Sequence, residues 1–158
     1  MHDYLLFAGL YPHLSDDERA KVEVIAAWLF GDGYRGIIGR YGYFYAPGGS
    51  YAAKAVIFKL YLCDFTSDVN DLIFNLFVMS HFQAARASAW FSQALRYLCQ
   101  YKNEQGRYEF PTALINEKKD GYVIFGAHMN VGEHKKSKLY KEILSTYWME
   151  RIKANMNY

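Results

Sequence analysis

The chain has 158 residues, with few cysteines and no long apolar run. Its two cysteines, Cys63 and Cys99, do not form a Cys-x-x-Cys pair, which excludes a thiol redox motif or zinc knuckle of that type. Both lie among apolar neighbours, and we expect a reduced, buried pair in a cytoplasmic protein. No uninterrupted apolar stretch approaches ~18 residues, so the sequence predicts no membrane span.

The chain also has little excess charge, with a formal net charge of +2. Nucleic-acid-binding domains usually carry a larger positive excess, so nucleic acid is not expected as a partner. Lysines are frequent late in the chain, but acidic residues are interleaved with them. This mixture is typical of an ordinary solvated face rather than a phosphate-binding patch.

Motifs that identify catalytic or metal centres are missing as well. The chain contains no His-x-x-x-His, no Gly-x-Ser-x-Gly and no phosphate-binding loop. Ser80 and His81 are neighbours on a predicted helix and should point in different directions, which argues against a nucleophile and its base. His128, His134 and Glu133 could hold a metal only if all three side chains converge, and we favour the interpretation that they are loop residues. The sequence therefore predicts no metal site and no cofactor.

Apolar residues recur at helical spacing through most of the chain, and no linker interrupts it, which predicts a single all-α domain over residues 1–158. Ser15 and Glu18 form a capping box before the second helix. At most six helices are expected: one that begins near residue 2 and ends before Pro12, and five over residues 15–31, 50–61, 67–78, 84–101 and 133–155.

Each long helix has a stripe expected to face the core. The predicted inward residues are Val22, Ile25, Ala26 and Leu29 in the second helix; Ala84, Ala87, Phe91, Leu95 and Leu98 in the fifth; and Leu139, Ile143, Tyr147, Met149 and Ile152 in the last. In the fourth helix, Phe74 and Val78 broaden the stripe, which predicts a central helix buried on two sides.

Residues 33–50 are rich in glycine and aromatic residues, which disfavours a helix there. Two structures remain open for this segment. One is a loop packed by its aromatic rings, and the other is a short β-hairpin through residues 37–45. Ser50 is then expected to cap the third helix.

A Gly-Arg-Tyr triplet occurs twice, at residues 39–41 and 106–108, and is typical of a repeated helical hairpin. If both loops share one rim of a helical layer, their arginines and tyrosines suit an anionic or sugar-like small-molecule ligand. The alternative is that each arginine pairs with a nearby carboxylate or carbonyl. The candidate ligand-binding residues are Arg40, Tyr41, Arg107, Tyr108, Glu109 and His128.

The segment from Tyr97 to Tyr108 resembles the repeat motif of the α/α-toroid superfamily of terpenoid cyclases and prenyltransferases, aromatic-Leu-x-x-x-Gln-x-x-x-Gly-x-Trp. Tyr97, Leu98 and Gly106 match it, while Lys102 replaces the glutamine and Tyr108 the tryptophan. The resemblance covers the last third of the chain. It implies antiparallel helical hairpins of toroid type, in which the polar residue braces the helix end and the aromatic ring covers the hairpin.

The catalytic residues of that superfamily do not carry over, because the chain has no Asp-x-Asp-Asp, and Cys63 directly precedes Asp64 instead of following the zinc-binding spacing. The sequence therefore favours a non-catalytic module that binds a ligand or partner. A full toroid needs about twice the helices available here, so we expect a partial toroid, part of a longer protein, or half of a homodimer. The alternative is a toroid enzyme, either a terpenoid-type cyclase or a polysaccharide lyase or glycosidase.

Overall fold

A computed structural model describes residues 2–31, 43–46, 49–52, 72–115 and 137–157. These residues are predominantly helical, as predicted, with one two-stranded antiparallel hairpin. The elements are α1 (His2–Leu10), a 3-10 turn (Tyr11–His13), α2 (Asp16–Phe30), β1 (Tyr43–Ala46), β2 (Gly49–Ala52), α3 (Leu72–Met79), α4 (Gln83–Arg86), α5 (Ala89–Cys99) and α6 (Tyr140–Met156).

The start of α2 follows the predicted capping box. The Glu18 backbone N–H donates to Ser15 Oγ at 3.4 Å, and the Ser15 backbone N–H donates to Glu18 Oε2 at 2.9 Å. These bonds satisfy two amides that a helix start leaves without partners. The helix ends at Gly31, also as predicted.

The hairpin lies later in the chain than the segment 37–45 proposed for it. Tyr45 pairs with Ser50 and Tyr43 with Ala52. The prediction that Ser50 caps a helix is therefore wrong, because Ser50 lies within β2. Tyrosine and phenylalanine favour strands, and they dominate β1. Residues 37–42 and the rest of the predicted third helix lie outside the described residues.

Helix α3 is the centre of the core, which confirms the prediction of a helix buried on two sides. It packs against α1, α5 and α6. Leu72, Ile73, Leu76 and Val78 are almost completely buried. Ser67, its predicted cap, lies outside the described residues.

The predicted helix over residues 84–101 is two helices, α4 and α5, separated at Ala87 and Ser88. Ser88 Oγ accepts from the Phe91 backbone N–H at 3.1 Å and donates to the Ala85 carbonyl at 2.6 Å. One hydroxyl thus ends α4 and caps α5, because serine competes well for backbone groups. Ala87, expected to face inward, is exposed at this break.

Helix α6 buries only the C-terminal part of the predicted stripe, Met149 and Ile152. Leu139, Ile143 and Tyr147 are exposed, as is Ile25 of α2. Helices α2 and α6 each carry apolar residues on two sides, so the spacing of these residues alone did not show which side is buried. The buried residues of α6 include Leu144, Trp148, Met149 and Ile152, of which Met149 and Ile152 were predicted correctly.

Cys99 is an exposed free thiol, so the prediction of a buried pair is wrong for this residue. It follows the buried Leu98 in the last turn of α5, and one position rotates a helical side chain by about 100°. Cys63 lies outside the described residues. Within the described ranges, no helix is long and apolar enough to cross a bilayer.

Candidate functional site

The second Gly-Arg-Tyr triplet lies in a tight turn after α5. The Gly106 backbone N–H donates to the Asn103 carbonyl at 2.9 Å, and the Arg107 N–H donates to Asn103 Oδ1 at 2.9 Å. Gly106 has φ +81°, a conformation that glycine adopts without strain. The side chain that braces the turn is therefore that of Asn103, one position after the Lys102 of the repeat motif.

The loop then docks on α6 through backbone donors. The Tyr108 N–H donates to Thr146 Oγ1 and the Phe110 N–H donates to Ser145 Oγ, both at 2.9 Å. Ser145 Oγ in turn donates to the Lys141 carbonyl at 2.5 Å. Two hydroxyls of one helix thus hold the segment that leaves the turn.

Tyr108 covers this junction and is only 2% exposed. Its ring centroid lies 6.2 Å from that of Phe110, and Lys153 Nζ lies 4.9 Å from the Tyr108 centroid. Burial raises the pKa of Tyr108, although Lys153 acts in the opposite direction. The ring is therefore packed beneath the turn that follows α5 and does not line an open mouth.

Arg107 forms an ion pair with the last helix. Its Nη1 lies 2.9 Å from Glu142 Oε1, and Asn103 Nδ2 donates to Glu142 Oε2 at 3.1 Å. This contact is the carboxylate pairing that the sequence left as the alternative for each arginine. Glu109 is exposed, and its backbone N–H donates to the Tyr101 carbonyl.

The structure therefore brings Arg107 and Tyr108 to the same loop but uses both to hold α6. The remaining candidates, Arg40, Tyr41 and His128, lie outside the described residues, as does Glu133. A shared rim of two Gly-Arg-Tyr loops stays a prediction.

A second polar cluster, which sequence reasoning missed, lies at the end of α3. Asn155 Nδ2 donates to Ser80 Oγ at 2.9 Å and lies 2.9 Å from His81 Nε2. Ser80 and His81 thus converge on one amide, contrary to the expectation that they point apart. Asn155 follows Ser80 by 75 positions, and no local pattern connects them.

The chemistry of this cluster is not that of an activated nucleophile. Ser80 is fully buried, and its hydroxyl donates to the Phe77 carbonyl at 2.6 Å. A nucleophilic serine must transfer its proton to a base, whereas this proton is held by a carbonyl. Burial, followed by the charges of Arg151 and Arg86, lowers the pKa of His81.

Glu23 also has a structural role that the sequence did not predict. Its carboxylate accepts the Gln83 and Ala84 backbone N–H groups at 2.8 and 2.7 Å, and it also accepts from the Tyr11 hydroxyl. Partial burial, then the hydrogen bond to Glu23, raises the pKa of Tyr11 to about 12. Glu23 therefore caps α4 from α2, and its carboxylate is occupied by structural bonds.

Among the described residues, the core also contains a polar side chain for which no hydrogen-bond partner is found. Asn75 of α3 is fully buried, and neither its amide nitrogen nor its amide oxygen has a partner in the described part of the chain. An unsatisfied buried amide is destabilising by about 1–3 kcal/mol.

Two helices expose apolar faces to solvent. The α2 outer face consists of Val24, Ile25 and Trp28, of which Val24 is 71% and Trp28 51% exposed. The α6 outer face consists of Leu139, Ile143 and Tyr147. Large apolar side chains grouped on one helix face are typical of contact surfaces.

No group of three or more metal-ligating side chains occurs among residues 2–31, 72–115 and 137–157. Comparisons of the chain with protein-family models, with curated proteins and with solved structures find no match.

Proposed function

We propose that this chain is a non-catalytic helical module, built from toroid-type hairpins, that binds a second copy of itself through the α2 outer face. The observation that carries the proposal is the exposure of Val24, Ile25 and Trp28 on a helix whose opposite side is already buried. The inner residues Val22, Ala26 and Leu29 account for the intramolecular packing of α2.

The polar contacts support a non-catalytic role. Arg107 is paired with Glu142, Tyr108 is buried under the loop, and the Ser80 hydroxyl donates to a carbonyl. These three groups thus have structural partners that account for their positions. The alternative, a toroid enzyme, finds no support in these contacts.

A second copy is the favoured partner because a twofold pairing would bury the exposed apolar side chains of the α2 outer face against each other. In an antiparallel pairing centred between Val24 and Ile25, Val24 of one copy would lie opposite Ile25 of the other, and both side chains would leave water. Lys21, which flanks them, is paired with Asp17 of its own helix, so its charge does not oppose the approach of a second copy.

Sedimentation velocity over a concentration series tests this pairing. We expect the wild-type chain to form a dimer whose fraction rises with concentration, and Val24→Glu to remain monomeric, because a buried unpaired carboxylate opposes association. Leu6→Glu is the matched control, since Leu6 is also an exposed apolar residue but lies on α1. A wild-type monomer at all concentrations, or a dimer that survives Val24→Glu, overturns the proposal.

Disulfide trapping tests the register independently. In a background with Cys63→Ser and Cys99→Ser, Val24→Cys should give a covalent dimer under mild oxidation, while Leu6→Cys should not.

The proposal that the module is non-catalytic has its own test. Turnover of a polyprenyl diphosphate or a glycan that is lost in Arg107→Ala contradicts it and favours the enzyme alternative.

A further inference from the structure

The hydrogen bonds around Asn155 determine which atom donates at each position. The Ser80 hydroxyl proton is directed to the Phe77 carbonyl, so Ser80 Oγ acts as an acceptor toward Asn155. The Asn155 group facing Ser80 must therefore be the NH₂, which fixes the orientation of the amide. The same NH₂ lies 2.9 Å from His81 Nε2.

It follows that His81 Nε2 accepts a hydrogen bond and carries no proton. The neutral imidazole then has its proton on Nδ1. Protonation of His81 at Nε2 would place the new N–H directly against the NH₂ of Asn155, so that two donors would face each other. Turning the Asn155 amide by 180° would remove this conflict only if the Ser80 hydroxyl also left the Phe77 carbonyl and donated to the Asn155 oxygen, so protonation costs the junction at least one of its hydrogen bonds.

The surroundings of His81 also oppose a positive charge. Arg86 of α4 and Arg151 of α6 act on the ring, and no carboxylate of the described residues does so. The Phe77 ring packs edge-on against His81, with ring centroids 5.5 Å apart, and Phe77 in turn contacts Trp148 at 5.1 Å, so one side of the imidazole faces apolar rings.

We infer that His81 is a pH-sensitive latch that holds the C-terminal turn of α6 on the core when neutral and releases it when protonated. Asn155 makes three polar contacts at this junction. Its side chain binds Ser80 and His81, and its backbone carbonyl accepts from Arg86 Nη1 at 2.7 Å. Disturbing the amide therefore also weakens the link between α6 and α4.

The expected sign follows from linkage. A histidine whose pKa is lower in the folded than in the unfolded state binds its proton more readily when the chain is unfolded. Its contribution to stability is present above the ordinary pKa of 6.5 and is lost as pH falls through the folded pKa. Acidification should thus loosen the α6 terminus before the rest of the molecule.

The first test is direct observation of the ring by ¹⁵N NMR of the full chain. We expect His81 to have a protonated Nδ1 and an unprotonated Nε2 at neutral pH, and to titrate below 6.5. The Asn155 side-chain NH₂ signals should shift with the same midpoint. An Nε2-protonated ring, or a titration at or above 6.5, overturns the inference.

The second test compares the pH dependence of thermal unfolding between about pH 8 and about pH 5. His81→Gln retains an acceptor for Asn155 but does not titrate, so it should lose the part of the acid-induced fall in Tm that His81 causes. His13→Gln, at an exposed histidine, should keep the wild-type slope. Equal slopes for wild type and His81→Gln contradict the latch.

The third test reverses the sign. In Asn155→Asp, a carboxylate faces Nε2 and stabilises the imidazolium, so the folded pKa of His81 should rise above 6.5. Relative to wild type, this variant should gain stability as pH falls over the same interval. An unchanged His81 titration in Asn155→Asp shows that the two side chains are not coupled and overturns the latch.

Discussion

Phe110 and Ser145 are both buried, and the backbone N–H of Phe110 donates to the Ser145 hydroxyl at 2.9 Å. This bond joins the loop after α5 to the middle of α6. Because both groups are shielded from water, neither can exchange the bond for one to solvent.

Ser145→Ala should destabilise the protein by about 1–3 kcal/mol, since it leaves the buried Phe110 N–H without an acceptor. Urea unfolding followed by circular dichroism measures the change. Ser92→Ala is the matched control, because Ser92 is a helical serine whose exposed hydroxyl bonds only weakly to the Ser88 carbonyl at 3.4 Å. We expect the control to change stability by less than about 0.5 kcal/mol. Equal effects of the two variants would show that the loop does not depend on Ser145.

Gly106→Ala should destabilise the protein by about 1 kcal/mol, because alanine is strained at φ +81°. The new Cβ would lie 3.8 Å from Lys102 Cε, an ordinary contact, so the penalty arises from the backbone alone. Gly9→Ala provides the opposite case. A Cβ at this helical position meets nothing within 4 Å, and alanine favours helix by up to about 1 kcal/mol. Thermal melts of both variants should therefore shift in opposite directions.

Asn75→Leu should stabilise the protein by about 1–3 kcal/mol, because it replaces an unsatisfied buried amide by an apolar side chain of similar shape. Asn155→Leu should do the reverse, since its amide is bonded to Ser80 and His81. Denaturant midpoints of the two variants give the comparison. A loss of stability in Asn75→Leu as large as that in Asn155→Leu would show that the Asn75 amide has a partner.

The Tyr11–Glu23 contact predicts a loss of stability at high pH. The pKa of Tyr11 is raised from 10.0 to about 12 in the folded chain, so the unfolded chain releases this proton first. Stability from this group is present below pH 10.0 and is lost as pH rises through about 12. Tyr11→Phe should flatten this part of the alkaline unfolding profile. Tyr147→Phe, at an exposed tyrosine, should retain the wild-type profile.

Local signals predicted the parts of the fold that depend on neighbouring residues. The Ser15–Glu18 capping box acts over three positions and was identified with its helix. Its two partners lie close in sequence, so a spacing rule contains most of the information. Tyr108 differs, because its contacts include Thr146 and Lys153 of α6, which lie far along the chain and which no spacing rule identified.

Sequence reasoning was less successful where two solutions have similar local energies. Leu139, Ile143 and Tyr147 form a valid apolar stripe, yet α6 buries Leu144, Trp148 and neighbouring residues instead. The packing of α6 against α3, rather than the spacing of its apolar residues, determines which side of α6 is buried. The break at Ser88 was missed because a run of good helix formers surrounds it, although serine is a common helix cap.

Long-range polar contacts could not be predicted at all. Asn155 and Ser80 are 75 positions apart, and Glu23 and Gln83 are 60 apart. Nothing in the composition near any of these residues identifies its partner. Such pairs form only when the helices pack together, and spacing rules applied to one sequence do not identify which helices will be neighbours.

The cap that Glu23 provides for α4 bears on how the molecule assembles. A helix of four residues is too short to persist alone in water, since nucleation outweighs the gain from so few bonds. We therefore expect α4 to form only after α2 has docked beside it and supplied the carboxylate. Early and late parts of the chain should then order in one cooperative step, so a fragment ending before residue 83 is expected to lose structure well beyond the residues removed.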